Sequence, residues 1–194
     1  MWVRRAAIRP VPSYAQIPIR ALADVEEQLA SDDEEARGKL DDAFARFERT
    51  QPALADRIAQ ILSGPLDETA LALGYFLTLA VWLSFDSVFH DELEEITTVA
   101  LTGVEESLKL DEQLRLADPA EALDSDDVIA MEQPDILSFV HEHIDAALEA
   151  NASEVDVDDV HEIYRVVLIE VLALSYAVRP PANWGIQMTT EFTA

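Results

Sequence analysis

The sequence contains no cysteine, and its only lysines are Lys39 and Lys109. Without cysteine, disulfide bonds, thiolate nucleophiles and cysteine-ligated zinc are excluded. A chain without disulfides suits a reducing compartment, and its first residues lack the continuous apolar run of a secretory signal. We therefore expect a cytoplasmic protein.

Glycine is also scarce, with 5 residues in the whole chain. Phosphate-binding loops depend on glycine, and neither a P-loop nor a Gly-x-Ser-x-Gly elbow occurs. The acidic segment 124–135 lacks the central glycine and the final glutamate of a calcium-binding EF-hand loop. No catalytic or cofactor motif is present, and the sequence favours a non-enzymatic protein without a cofactor.

Long hydrophobic runs are absent. The longest uncharged segment, residues 69–85, is diluted by threonine, glycine and serine. It is shorter than the roughly 20 apolar residues that cross a bilayer. This segment predicts a buried core helix, and we expect no association with membranes.

Basic residues are few, with 13 lysines and arginines against 39 acids and a net charge of −26. Because phosphate groups are bound mainly by lysine and arginine, direct binding of nucleic acid or anionic lipid is not expected. The charge favours an inhibitor, immunity-type protein, adaptor or nucleic-acid mimic that binds a basic protein partner. A second reading is that the acidity reflects habitat or composition bias, in which case it carries no information about partners.

The charge divides the chain into three parts. Residues 1–17 form a basic, proline-containing N-terminal arm, because prolines disfavour helix at and before their positions. Residues 18–178 are predicted to form a single, acidic, all-helical domain. Residues 179–194 form a C-terminal tail that begins with two consecutive prolines after an arginine.

The two arms carry residues suited to docking. Arg4, Arg5 and Arg9 are expected to bind an acidic body, either that of the same chain or that of a second subunit. Trp2 and Trp184 are expected to pack on the same surfaces, because solvated tails seldom contain tryptophan. An exchange of the N-terminal arm between two chains would give a homodimer.

The apolar spacing between the arms is helical almost throughout, so the predicted fold class is all-α, a bundle of about six to seven helices. Residues 66–90 and 156–178 predict two long central helices. The second half of the latter is interpreted as apolar on every side. No internal repeat is evident.

The stretch FVHEHID at residues 139–145 contains two histidines among acids. A carboxylate-bridged metal site in a helical bundle needs a glutamate three positions before a histidine, and no histidine here has one. On a helical wheel His143 falls within the apolar arc, between Phe139 and Ala147, and His141 lies at its border. His143 is therefore predicted to be a histidine at the edge of the core, hydrogen-bonded to a neighbouring helix.

His90 has Asp86 four positions before it and Glu94 four positions after it, which would align three ligands on a continuous helix. We instead expect Asp91 to cap a new helix, with Glu94 completing a capping pair. The alternative to an interaction protein is a metal-binding bundle or metal-dependent enzyme. Its divalent cation would be held by His90, Glu94, Asp158 and His161.

Overall fold

A computed structural model describes residues 7–30, 34–117, 129–130, 132–151, 155–182 and Trp184. Within these ranges the protein is a bundle of α-helices with two short 3-10 helices and no named strand. The α-helices are α1 (Ile19–Ala30), α2 (Glu34–Thr50), α3 (Pro52–Leu62), α4 (Glu68–Phe89), α5 (Thr98–Ala117), α6 (Pro134–Ala150) and α7 (Val157–Ala177). The predicted all-α bundle of six to seven helices is confirmed.

The two long helices at the centre, α4 and α7, run parallel to each other. Their N-termini are interlocked, because Asp67 Oδ2 accepts the Asp156 amide at 2.9 Å and Asp159 Oδ2 accepts the Asp67 amide at 2.8 Å. Beyond their C-termini, Leu93 and Val178 pair through an isolated backbone bridge. Hydrogen bonds from backbone amides therefore join the two helices at both ends.

Helix α4 and the 3-10 turn after it, Glu68–Glu92, are long enough and apolar enough on average to cross a membrane, although the uncharged run within them is shorter. Helix α4 lies in the core, where Leu77, Ala80, Val81, Trp82 and Phe85 are fully buried. Five other α-helices contact it along its length. The segment is a core helix, as its sequence predicts, which is consistent with a soluble protein.

Gly74 lies where α3 and α7 pack closely against α4. A Cβ atom at this position would lie 2.6 Å from Leu62 Cδ2 and 2.8 Å from Ile163 Cδ1. Both distances are shorter than a van der Waals contact between carbon atoms. The packing of α3 and α7 against α4 thus depends on the missing side chain.

Gly74→Ala is expected to lower the free energy of unfolding by about 1–2 kcal/mol, because the overpacking exceeds the gain in helix propensity. Gly38→Ala in α2 is the matched control, since no atom lies within 4 Å of its Cβ position. The control should raise stability by up to about 1 kcal/mol. Urea denaturation of both variants tests this, and a Gly74→Ala protein as stable as the wild type would contradict it.

The helix predicted to start at Asp91 does not form, and that capping prediction is wrong. A 3-10 helix spans His90–Glu92, and α5 begins only at Thr98. Thr97 caps it, since its Oγ1 accepts the Ala100 amide at 3.2 Å. The reason is tertiary, because Ile96 is buried and the backbone before it is bound by a side chain from another helix.

That side chain is Gln51, which is 1% exposed and precedes Pro52 at the start of α3. Its Oε1 accepts the Ile96 amide at 2.9 Å, and its Nε2 donates to the Glu94 carbonyl at 3.0 Å. The amide group bonds two backbone positions as the edge of a neighbouring strand would. It holds residues 94–96 outside the helix and delays the start of α5.

Gln133 repeats this arrangement before Pro134 at the start of α6. Its φ and ψ are −133° and 57°, against −134° and 56° at Gln51. Its Oε1 accepts the Ile17 amide at 3.0 Å, and its Nε2 donates to the Ala15 carbonyl at 2.6 Å. Nε2 also donates to a buried serine hydroxyl of α7 at 3.1 Å. The N-terminal segment is thereby fixed to the bundle.

The described part of the N-terminal arm contributes to the core. Ile8, Val11, Ala15 and Ile17 are 0–3% exposed and pack with the apolar residues of the helices. Apart from a 3-10 helix at Ser13–Ala15, the backbone of this segment is irregular, in agreement with its prolines. The segment is therefore bound along its length rather than solvated.

Candidate functional site

The basic side chains of the described surface are largely committed to acids of the same chain. The pairs, with their nitrogen–oxygen distances, are Arg46–Asp86 at 2.9 Å, Arg57–Glu105 at 2.5 Å, Arg165–Glu112 at 3.2 Å and Arg179–Glu94 at 3.1 Å. Since the chain has 39 acids and 13 bases, at least 26 acids have no base of their own in one-to-one pairing. The surface therefore presents an uncompensated negative field.

His90 and Glu94 lie beyond the C-terminus of α4 and do not form a metal site. The His90 side chain is 70% exposed, and its Nδ1 lies 3.5 Å from Asp86 Oδ1. Asp86 also accepts two hydrogen bonds from the guanidinium of Arg46. Glu94 is paired with Arg179. Each carboxylate thus already has a cationic partner.

Asp158 and His161 lie at the other end of the central pair, in the first turns of α7. They line a groove of about 610 Å³ together with basic residues of three helices. Arg165 of this helix pairs with Glu112 of α5. The groove is lined by four carboxylates as well as by Arg57, Lys109 and Arg165, and the two arginines pair with acids of α5.

The four candidate residues of the alternative metal site are not brought together in the described structure. Because α4 and α7 are parallel, His90 and Glu94 are separated from Asp158 and His161 by the length of a central helix. A helix of 21 residues is about 30 Å long. Among the residues that the structure describes, no group of three or more histidine, aspartate or glutamate side chains is arranged to hold a metal ion.

His143 occupies the predicted position at the edge of the core. Its ring packs against both Phe76 and Phe139, with centroid distances of 4.8 and 4.2 Å. Nδ1 bonds the Phe139 carbonyl at 2.9 Å, and Nε2 lies 3.4 Å from Glu26 Oε1 of α1. His141 is exposed and its Nε2 lies 2.7 Å from the hydroxyl of Tyr164. Both imidazoles have structural partners.

Two of the predicted docking residues contact their own chain. The Arg9 guanidinium lies 4.1 Å from the centroid of the Tyr176 ring, and the Tyr176 hydroxyl donates to the Arg9 carbonyl. Burial raises the pKa of Tyr176 to about 12, although the nearby Arg9 charge opposes this shift. Trp184 packs edge-on against Tyr14 with a centroid distance of 4.8 Å. The other three residues, Trp2, Arg4 and Arg5, lie outside the described residues, and the homodimer stays a prediction.

An open groove of about 480 Å³ lies between α5 and the C-terminal half of α7. Its walls are mostly small side chains, and Glu94, Glu95 and Arg9 add charge. We call it the α5–α7 groove, and its main lining residues are Ala100, Gly103, Ser107, Ala173, Tyr176 and Ala177. It combines a largely apolar lining with a few charged residues.

Beside this groove, α5 exposes large apolar side chains. Val99 is 83% exposed and Leu110 is 49% exposed. Together with Gly103 and Glu106 they occupy positions spaced four, three and four residues apart, which places them on one face of the helix. We call this face the α5 stripe. Singly exposed apolar residues are ordinary, but the α5 stripe carries two of them beside an open groove.

Glu170 is a polar residue at the centre of α7 that the sequence interpretation overlooked. It is fully buried, and neither carboxylate oxygen has a hydrogen-bond partner among the described residues. Burial raises the pKa of Glu170 well above its usual value of 4.5. The prediction that this half of α7 is apolar on every side is therefore wrong at one position. A lone acid within VVLIEVLALS, residues 166–175, was the available signal.

The groove, the stripe and the acidic surface together form the candidate functional site. Glu170 and the two buried glutamines act within the fold, and nothing in the residue pattern alone identified the glutamines. Comparison of the chain with protein-family models, with curated proteins and with solved structures finds no match.

Proposed function

We propose that this protein is a non-enzymatic binding module that acts in the cytoplasm on a basic protein partner. The observation that carries the proposal is the internal use of the basic side chains. Four arginines of the described surface pair with acids of their own chain. The acids in excess of the bases leave a net negative field around the protein. A field of this sign selects a partner of positive charge.

The physical role of this field is to accelerate encounter. Complementary fields of this kind raise association rates by about 10- to 1000-fold, and the effect declines as salt screens the charges. The faster association raises the affinity in proportion, and apolar contacts supply the rest of it, because single ion pairs at the border of an interface contribute little. A binding module of this kind needs both an acidic field and an accessible apolar surface.

The proposal predicts that the full-length protein, used as bait in an extract of the cells that make it, retains proteins with isoelectric points above about 9. Retention should occur at about 0.1 M salt and be lost at about 1 M. The Debye length is about 10 Å at the lower concentration and about 3 Å at the higher one, so the charges are screened there. Mass spectrometry of the salt eluate, with its composition compared between the two salt concentrations, is the measurement.

The control bait is an unrelated helical protein of equal net charge, which removes proteins held by charge alone. Basic proteins retained by this protein and absent from the control support the proposal. Identical eluates from the two baits, or partners that resist about 1 M salt, count against it. Identical eluates would favour the interpretation that the acidity has no role in partner selection.

A further inference from the structure

We infer that the α5–α7 groove and the α5 stripe form one docking site, and that its occupant is a basic amphipathic helix of the partner protein. This inference rests on the proposed function and assigns it a place on the molecule. Three features carry the assignment: the shape of the groove, the apolar side chains beside it and the charge around it.

The shape favours a helix because small residues allow close approach. Ala100 and Gly103 of α5 face Ala173 and Ala177 of α7 across the groove. Helices pack at axial distances of 8–10 Å, and small side chains at the contact give the closer values. The groove therefore accepts the larger apolar side chains of an incoming helix between two helices that are already in place.

The length of the surface sets the length of the occupant. Val99 and Leu110 are eleven positions apart on α5, which corresponds to about 16 Å along the helix axis. An incoming helix that lies along this stripe contacts it over about three turns. Its apolar residues at three-and-four spacing would meet Val99, the groove and Leu110 in turn.

The charge selects a basic occupant. Glu95 lines the groove and Glu106 lies in the middle of the α5 stripe, and both are exposed. Neither forms an ion pair within the part of the chain that the structure describes. Arg9, the basic residue in the lining, is stacked on Tyr176. Lysine or arginine residues that flank the apolar face of an incoming helix would pair with these carboxylates.

Gly103 allows the site to be blocked without disturbing the fold. No atom lies within 4 Å of its Cβ position, so a larger side chain there has open space. Gly103→Trp should lower the affinity for the probe at least tenfold. Gly38→Trp, at an equally open position in α2, is the matched control and should change affinity less than twofold.

The probe is a fluorescently labelled amphipathic Leu/Lys peptide of about 14 residues, long enough for about four helical turns. Its affinity for the full-length protein is measured by fluorescence anisotropy. A peptide with the same composition and a scrambled order, which has no apolar face, should bind at least tenfold more weakly. Circular dichroism melting of both tryptophan variants checks that each is folded.

A charge-reversed pair provides the second test. Glu95→Lys with Glu106→Lys should lower the affinity for the Leu/Lys peptide at least fivefold more than Asp41→Lys with Asp42→Lys. The control pair lies on α2, is exposed and changes the net charge equally. This comparison separates a local site from the field of the whole protein.

The outcomes distinguish this inference from the proposed function. Selective loss of affinity in Gly103→Trp and in the Glu95/Glu106 pair supports the docking site. Equal effects of both charge-reversed pairs, with Gly103→Trp unchanged, overturn it. If the extract experiment yields a specific basic partner that Gly103→Trp still retains, the function stands and the site is wrong. If wild-type protein binds neither partner nor peptide, both fail.

Discussion

Gln133→Leu should lower the free energy of unfolding by about 3–5 kcal/mol. The substitution leaves the Ile17 amide and the Ala15 carbonyl buried without partners, and each lost partner of this kind costs about 1–3 kcal/mol. It also removes a donor from Ser175 Oγ. The leucine side chain occupies similar volume, so the effect comes from hydrogen bonding rather than from a cavity.

Two measurements check this expectation. Urea denaturation gives the loss of stability, and hydrogen exchange at the Ile17 amide reports whether the N-terminal segment has detached. Gln60→Leu is the control, because Gln60 is exposed on α3 and should change stability by less than about 0.5 kcal/mol. A loss below about 1 kcal/mol in Gln133→Leu, with the Ile17 amide still protected, would show that this amide does not fix the segment.

Glu170→Met should raise the free energy of unfolding by about 2–4 kcal/mol near pH 8, because it removes a buried carboxyl without partners and keeps an apolar side chain of similar length. The effect depends on pH in a defined direction. The pKa of Glu170 is raised in the folded state, so the folded protein holds a proton that the unfolded chain has released. The stabilisation that comes from this raised pKa is fully present below the pKa of the unfolded chain, which lies near 4.5.

Above that value, the wild type loses about 1.4 kcal/mol for each pH unit until the folded pKa is passed. The stability difference between Glu170→Met and wild type should therefore widen as pH rises, and subtraction cancels the titration of the other carboxylates. Urea denaturation of both proteins from about pH 5.5 to about pH 8 measures it. Glu170→Gln, which does not titrate, should show the same pH dependence as Glu170→Met. A difference that stays constant over this range would mean that Glu170 titrates normally.

The sequence predicted one property of the candidate site, its excess of negative charge. The imbalance of 39 acids against 13 bases is a property of composition and needs no structure. The position of the α5–α7 groove depends on which helices are neighbours. Ala100 and Ala173 are far apart in the chain, and their proximity follows from the packing of α5 on α7.

The histidines also show which predictions a sequence supports and which need the tertiary structure. The position of His143 on an apolar arc predicted a residue at the edge of the core, because helical periodicity is a local property. The grouping of His90 with His161 needed the relative direction of two helices. A parallel pair places them at opposite ends, and residue spacing along the chain contains no information about that direction.

The sequence by itself determined the helices, the two long apolar segments at the centre and the acidity of the surface. These follow from composition and from spacing within about four residues, where the chain interacts with itself locally. The tertiary structure decided what depends on distant partners. It placed Gln51 and Gln133 against segments outside the α-helices, delayed α5 to Thr98 and enclosed Glu170. The role of a buried polar group depends on the partners around it, and those partners come together only when the chain folds.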